Sequence, residues 1–266
     1  MEDAAVAEGP GPRLLGGVPA REEEPVARHL PLRGVGAFEL WVEVPDEAAL
    51  AAVVRAARAE KLTIRPVPPF CDALPPENGL TGVALRLGRG FEGIREGEGG
   101  LWVGASCPLA VLGLRTGFAS LARAPGTLAD AWEDGWIAPA IARVRRYRGR
   151  SVEEVDATPD AKTLLVEALV KPGVKLQVPP AGRAFREHRR RNLPPLRDLL
   201  RTLNLGGVRL GDAALSEEDP TILTNRGEAT PRQLRLLLQA ARDRVHTATG
   251  LELEERLAPP GRGGRL

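Results

Sequence analysis

An α+β fold assembled from several small units is what this sequence predicts, and three observations predict it. Strand-like alternation and an amphipathic helix succeed one another between residues 29 and 88 as a β-α-β unit. A middle run of short strands broken by Gly turns continues to residue 172. Near the end comes a long amphipathic helix with its own start and stop signals. The chain has 266 residues, 43% of them apolar and 27% charged. That is enough hydrocarbon to bury real cores and excludes a wholly disordered chain.

Residues 1–26 carry Gly, Pro and the acidic run Glu22-Glu23-Glu24, and are expected to form a mobile tail. Residues 38–44 alternate toward a strand with Leu40, Val42 and Val44 on one side. Pro45-Asp46 then opens a helix whose apolar face is Leu50, Val53, Val54 and Ala57. A second strand is expected over 62–67 and, after a Pro-rich loop, a third over 82–87. In the middle region the strand candidates are 100–104, 142–147 and 164–170, and Arg148-Gly149-Arg150 reads as a hairpin turn into 151–155. Thr230-Pro231-Arg232-Gln233 is a capping box with Pro at the first helical position. Leu234, Leu237, Leu238, Ala241 and Val245 make the stripe of the helix that follows, Gly250 stops it, and a strand is expected over 251–254. The expected divisions are therefore 1–26, 27–88, 89–173 and 174–266.

Charge and chemistry are sparse. Lys plus Arg is 37 and Asp plus Glu is 35, a net +2 that gives no argument for nucleic acid. Cys71 and Cys107 make no disulfide framework, and His29, His188 and His246 are too scattered for a metal site. No run approaches a membrane span, and the acidic N-terminus lacks an apolar signal core, so a cytoplasmic protein is expected.

The stretch from Pro25 to Ala37, the segment Leu205-Gly206-Gly207-Val208-Arg209-Leu210-Gly211-Asp212-Ala213-Ala214-Leu215-Ser216 and the segment Thr224-Asn225-Arg226-Gly227-Glu228-Ala229-Thr230 resemble the UDP-N-acetylenolpyruvoylglucosamine reductase (UDP-N-acetylmuramate dehydrogenase) family of peptidoglycan precursor synthesis. The resemblance covers about residues 25–262 and is strongest at the C-terminus. It implies a two-subdomain FAD-binding fold of the vanillyl-alcohol-oxidase type, with a C-terminal α+β substrate-domain-like region. It also implies FAD, NADPH and a UDP-sugar as the family's ligands.

Three parts of that family's chemistry depart from their pattern here. The glycine-rich "GGGSN" loop, whose amides approach the FAD pyrophosphate, corresponds to Pro68-Pro69-Phe70-Cys71-Asp72. Two prolines remove donors and lock φ, Phe70 fills the approach volume, and Asp72 opposes phosphate with like charge. The second flavin segment, "PGTxGGA", keeps Pro125, Gly126 and Thr127 but continues Leu128-Ala129-Asp130-Ala131, an acid where glycines belong. The serine of "SxGSxFxNP", which protonates the substrate carbanion, has no counterpart between Gly182 and Leu196. The C-terminal glutamate position is taken by Arg256 in ungapped register, with Glu255 one residue away on what would be the opposite strand face. The family's "YRxS" arginine has a lookalike in Tyr147-Arg148-Gly149-Arg150-Ser151, which fits better as the hairpin.

Three functional readings follow. The first is a degenerate, non-catalytic homologue that acts by binding a UDP-sugar or a cell-wall-synthesis protein, without cofactor. The second is a divergent, active FAD- and NADPH-dependent reductase. The third is a phosphate-docking or nucleic-acid-docking module built on Arg183, Arg186, Arg189, Arg190 and Arg191, whose guanidinium forks suit phosphate; the bland alternative is a solvated helix face. Three losses need three separate rescues, which favours the first reading.

Overall fold

The computed structural model describes residues 13–29, 36–67, 74, 76–157, 163–178, 182–188 and 190–255. The first sheet contains β1 (Leu14–Leu15), β2 (Val18–Pro25), β3 (Ala37–Val44), β4 (Ile64–Pro66) and β5 (Leu80–Leu87), in the order β1-β2-β3-β5-β4. β3, β5 and β4 are parallel neighbours, joined through helix α1 (Glu47–Ala59) as the β-α-β pattern requires. Asp46 caps α1 by accepting the Ala49 N–H at 2.8 Å. The helix then buries Leu50, Val53, Val54 and Ala57. Pro66 is tolerated because β4 is an edge strand, where a missing donor breaks no ladder.

The tail expected up to residue 26 is a correction. Residues 18–25 form β2 and pair antiparallel with β3, Ala20 opposite Val42 and Glu24 opposite Phe38. Val18 and Ala20 point into the core between exposed Pro19 and Arg21, a period-two signal that the acidic run obscures. Glu24 is only 4% exposed, and His29, Arg21 and Arg28 surround its carboxylate. Gly16, with φ +61°, turns the chain from β1 to β2 against α1, where a Cβ would meet the Ala52 carbonyl at 2.5 Å.

The second sheet is antiparallel: β6 (Ile94–Gly97), β7 (Gly100–Gly104), β8 (Ile141–Tyr147), β9 (Val152–Asp156) and β10 (Leu164–Val170), in the order β6-β7-β10-β8-β9. Gly149, at φ +73°, makes the β8–β9 turn read from the sequence. Two helices, α2 (Leu109–Thr116) and α3 (Leu128–Glu133), lie in the connection from β7 to β8. One hydrophobic core contains residues of both sheets and of α1. Arg145 of β8 reaches Glu47 of α1 at 2.9 Å, and Arg58 of α1 donates to the Gly149 carbonyl at 2.8 Å. Central β10 is buried along its whole length, and its Glu167 is held by Arg95 and Arg145, each at 2.9 Å.

The C-terminal unit has its own core. It consists of α4 (Leu196–Thr202), a sheet of β11 (Arg209–Leu210), β12 (Ala213–Leu215) and β13 (Leu223–Asn225), and α5 (Pro231–Thr249). Both bonds of the capping box are made: Thr230 N–H to Gln233 Oε1 at 2.9 Å, and Gln233 N–H to Thr230 Oγ1 at 3.2 Å. Gly250 ends α5 at φ +64°. The strand expected over 251–254 does not form; that stretch is irregular, with one bridge from Glu255 to Phe185.

Candidate functional site

The second flavin-type segment lies between α2 and α3. Gly126 takes φ +97°, and Thr127 is the extended residue before α3, only 2% exposed. One oxygen of Asp130, Oδ2, accepts both the Thr127 N–H at 2.7 Å and the Thr127 hydroxyl at 2.6 Å. The next amides are also used internally. Leu128 donates to the Cys107 carbonyl at 3.0 Å, Ala129 to that of Ala105 at 2.8 Å, and Ala131 to that of Thr127 at 3.2 Å. Across the segment, the amides of Ala105, Ser106 and Cys107 are bound to Val166, Phe91 and Gly104. Cys107 is buried, and that burial, with Glu92 nearby, pushes its thiol up to about 11.

A pyrophosphate needs free, convergent N–H donors and no opposing charge. Here the Thr127 amide is already held by a carboxylate and its neighbours by carbonyls. As placed, the segment does not fit an FAD pyrophosphate. The resemblance treats Asp130 as an intruding acid, whereas in the structure it is the third residue of α3 and its side chain reaches back to the N-cap residue Thr127 as half of a capping box.

Pro68, Pro69, Phe70, Cys71 and Asp72 lie outside the described residues, and only the flanks of that loop are seen. Val67 donates to Leu85 at 2.8 Å and packs with Phe38, Trp41, Leu80 and Ala84. Leu74 belongs to the C-terminal core, and its carbonyl accepts from Arg235 of α5 at 2.6 Å. The loop's two ends are thus tied to different units. Pro125, Gly126 and Thr127 are placed as above.

The acid–base positions are likewise committed. Glu255 pairs with Arg242 at 3.0 Å, and Arg256 is outside the described residues. Ser106 is buried and donates to the Leu87 carbonyl at 2.8 Å, while Ser216 accepts from the Asp219 N–H at 3.2 Å. The Ser106 O–H is thus used within the fold.

The arginine run is not a helix face, which corrects that alternative: residues 183–188 are irregular with two bridges, Arg183 to Ile222 and Phe185 to Glu255. Pro194 and Pro195 put the first helical turn beyond the run, at Leu196. The charges are engaged separately. Arg186 lies 3.6 Å from Glu254, and Arg190 donates to the Gly250 carbonyl at the end of α5, 3.0 Å away. Arg191 is exposed and Arg189 is outside the described residues. Arg183 Nε and His188 Nδ1 are buried without hydrogen-bond partners.

One cavity has no counterpart in the sequence reading. It encloses about 410 Å³ and is lined by Pro19, Arg21, Trp41, Glu43, Pro45, Gly88 and Arg89, on the face of the first sheet opposite α1. Trp41 is 2% exposed, stacks on His29 at 3.6 Å, and its Nε1 is buried without a partner. An orphaned donor of this kind costs about 1–3 kcal/mol. Beside it, the Glu24 carboxyl is held below its ordinary value: desolvation pushes it up, but hydrogen bonds from His29 and Arg21 and the charge of Arg28 outweigh that. The lining comes from two strands and two turns, so no contiguous motif announces it. Among the described residues no His, Cys, Asp or Glu group could hold a metal, and no helix is long and apolar enough to cross a membrane.

Comparison with known proteins points one way. Residues 174–258 match the family model of the UDP-N-acetylenolpyruvoylglucosamine reductase C-terminal domain. The Heliobacterium modesticaldum reductase of that name is 26% identical over 91% of this chain and 91% of its own length. The Anaeromyxobacter sp. Fw109-5 reductase is 28% identical, covering 87% and 86% respectively. In fold, the reductase of Thermus caldophilus superposes with a TM-score of 0.67 at 20% identity, over 90% of this chain and 100% of that one. Residues 174–258 thus carry the C-terminal domain of the UDP-N-acetylenolpyruvoylglucosamine reductase family, and the near full-length similarity and the shared fold agree with it.

Proposed function

We propose that the chain keeps the reductase architecture, as a two-subdomain fold of the vanillyl-alcohol-oxidase type with a C-terminal substrate-type domain, and acts by binding rather than by FAD-dependent turnover. The observation that carries this reading is the Asp130 carboxylate seated on the Thr127 N–H and hydroxyl, at 2.7 and 2.6 Å. A dinucleotide phosphate directed there would meet like charge and a donor already in use. The sequence adds the proline-filled first loop and the missing serine and glutamate. The bound partner is a UDP-sugar or a protein of cell-wall synthesis, in the cytoplasm.

An active FAD- and NADPH-dependent reductase is the competing reading, favoured by coverage of 91% of a relative that carries that name. Phosphate docking through Arg183–Arg191 is a further one, favoured by the unpartnered Arg183 Nε. Purified full-length chain separates them. Colourless protein that oxidises no NADPH with the enolpyruvyl UDP-sugar, yet binds a UDP-sugar in calorimetry, supports the first reading. Yellow protein that consumes NADPH establishes the second. Nucleic-acid binding that falls steeply with salt would establish the third.

A further inference from the structure

The cavity on the outer face of the first sheet has no part in the reading above, and its lining has a chemistry of its own. β3 is the strand at which antiparallel β2 gives way to parallel β5. Pro45 and Gly88 are the first residues beyond the carboxyl ends of β3 and β5. In open sheets with parallel strands, ligands settle outside such carboxyl ends. Trp41 and Glu43 line it from β3, Pro19 and Arg21 from β2, and Arg89 from the turn after β5.

The charges there are two guanidiniums against one carboxylate. Arg21 touches Glu24 at 3.1 Å yet keeps 61% of its side chain exposed. Arg89 and Glu43 make no ion pair among the described residues. Glu43 lies across Gly88, where a Cβ would come within 3.3 Å of its Oε1 and 3.0 Å of the Val44 carbonyl. The glycine therefore leaves room for the carboxylate to lie along the cavity wall. Trp41 adds an apolar wall, and its buried Nε1 has no hydrogen-bond partner among the described residues.

We propose that this cavity binds a small hydroxylated phosphate ester. The Arg21 and Arg89 guanidiniums take the phosphate, for which a planar fork of donors is suited. Glu43, an acceptor only when ionised, takes the ligand's hydroxyl protons. The Trp41 ring gives the carbon skeleton an apolar wall to rest against.

The test uses the full chain labelled with ¹⁵N, with the Trp41 indole N–H signal assigned by its loss in Trp41→Phe. Glucose 6-phosphate, inorganic phosphate and glucose are each titrated. The expected result is a saturable shift of the Trp41 signal with glucose 6-phosphate, about tenfold tighter than with either fragment, and weakened by about tenfold in Arg89→Ala, the loss of one charged contact. Glu43→Gln is expected to bring glucose 6-phosphate down toward the affinity of inorganic phosphate. Absence of a saturable shift, equal binding by inorganic phosphate, or unchanged affinity in Arg89→Ala would overturn the proposal. Both substituted side chains are exposed or cavity-lining, and the unperturbed remainder of the spectrum reports that the fold is kept. Flavin plays no part in the readout, so this outcome and that of the reductase-type site are independent.

Discussion

Two helix starts in this molecule use the same local device and do different work. At α5, Thr230 and Gln233 exchange two neutral hydrogen bonds, and the helix that follows runs 19 residues across the C-terminal core. At α3, Thr127 is gripped by the side chain of Asp130, and the helix is only 6 residues long. The first cap starts a helix whose stability comes from its buried stripe. The second secures a loop whose Leu128 and Ala129 amides are bound to the carbonyls of Cys107 and Ala105. A cap is thus a stability device in one place and, in the other, a way of leaving an anion nothing to hold.

That contrast can be broken or sharpened by experiment. The largest effect belongs to the α5 stripe: Leu238→Ala opens a hole at a fully buried position. A loss of about 3 kcal/mol in urea unfolding is expected. Asp130→Ala leaves the buried Thr127 N–H and hydroxyl without their shared acceptor, and a loss of about 2 kcal/mol is expected. A change near zero would mean that water replaces the carboxylate freely and the loop is not closed. Thr230→Ala removes one neutral cap bond at a helix held by packing, for about 1 kcal/mol. Smallest of all is the response of Cys107 to a thiol reagent, read in a Cys71→Ser background. With its thiol at about 11 and its side chain buried, labelling at neutral pH is expected to be as slow as unfolding. Rapid labelling would show that the segment beside Thr127 breathes.

Much of the architecture was legible in the sequence, and what was legible is local. The α1 face of Leu50, Val53, Val54 and Ala57, the β8–β9 hairpin at Gly149 and the Thr230 cap each depend on residues within a few positions of one another. What was not legible depends on pairing at a distance. β2 was hidden because its acidic run reads as solvated, and only antiparallel pairing with β3, plus three basic side chains on Glu24, turns it into a strand. The Trp41 cavity is assembled across β2, β3 and the turn after β5, so spacing along the chain carries no trace of it. The role of Asp130 was half legible: the family resemblance placed an acid where glycine belongs, and only the structure shows its carboxyl oxygen bound to the Thr127 N–H. The C-terminal strand failed for the opposite reason, since alternation over 251–254 found no partner strand and left a single bridge.

The central claim, that the Thr127 region is closed to a dinucleotide phosphate, is tested most directly by titrating FAD into the purified full-length chain and following flavin fluorescence. Fluorescence that stays that of free FAD at every protein concentration is the expected result. Saturable quenching to one flavin per chain, with the Asp130 carboxylate displaced from Thr127, would contradict it.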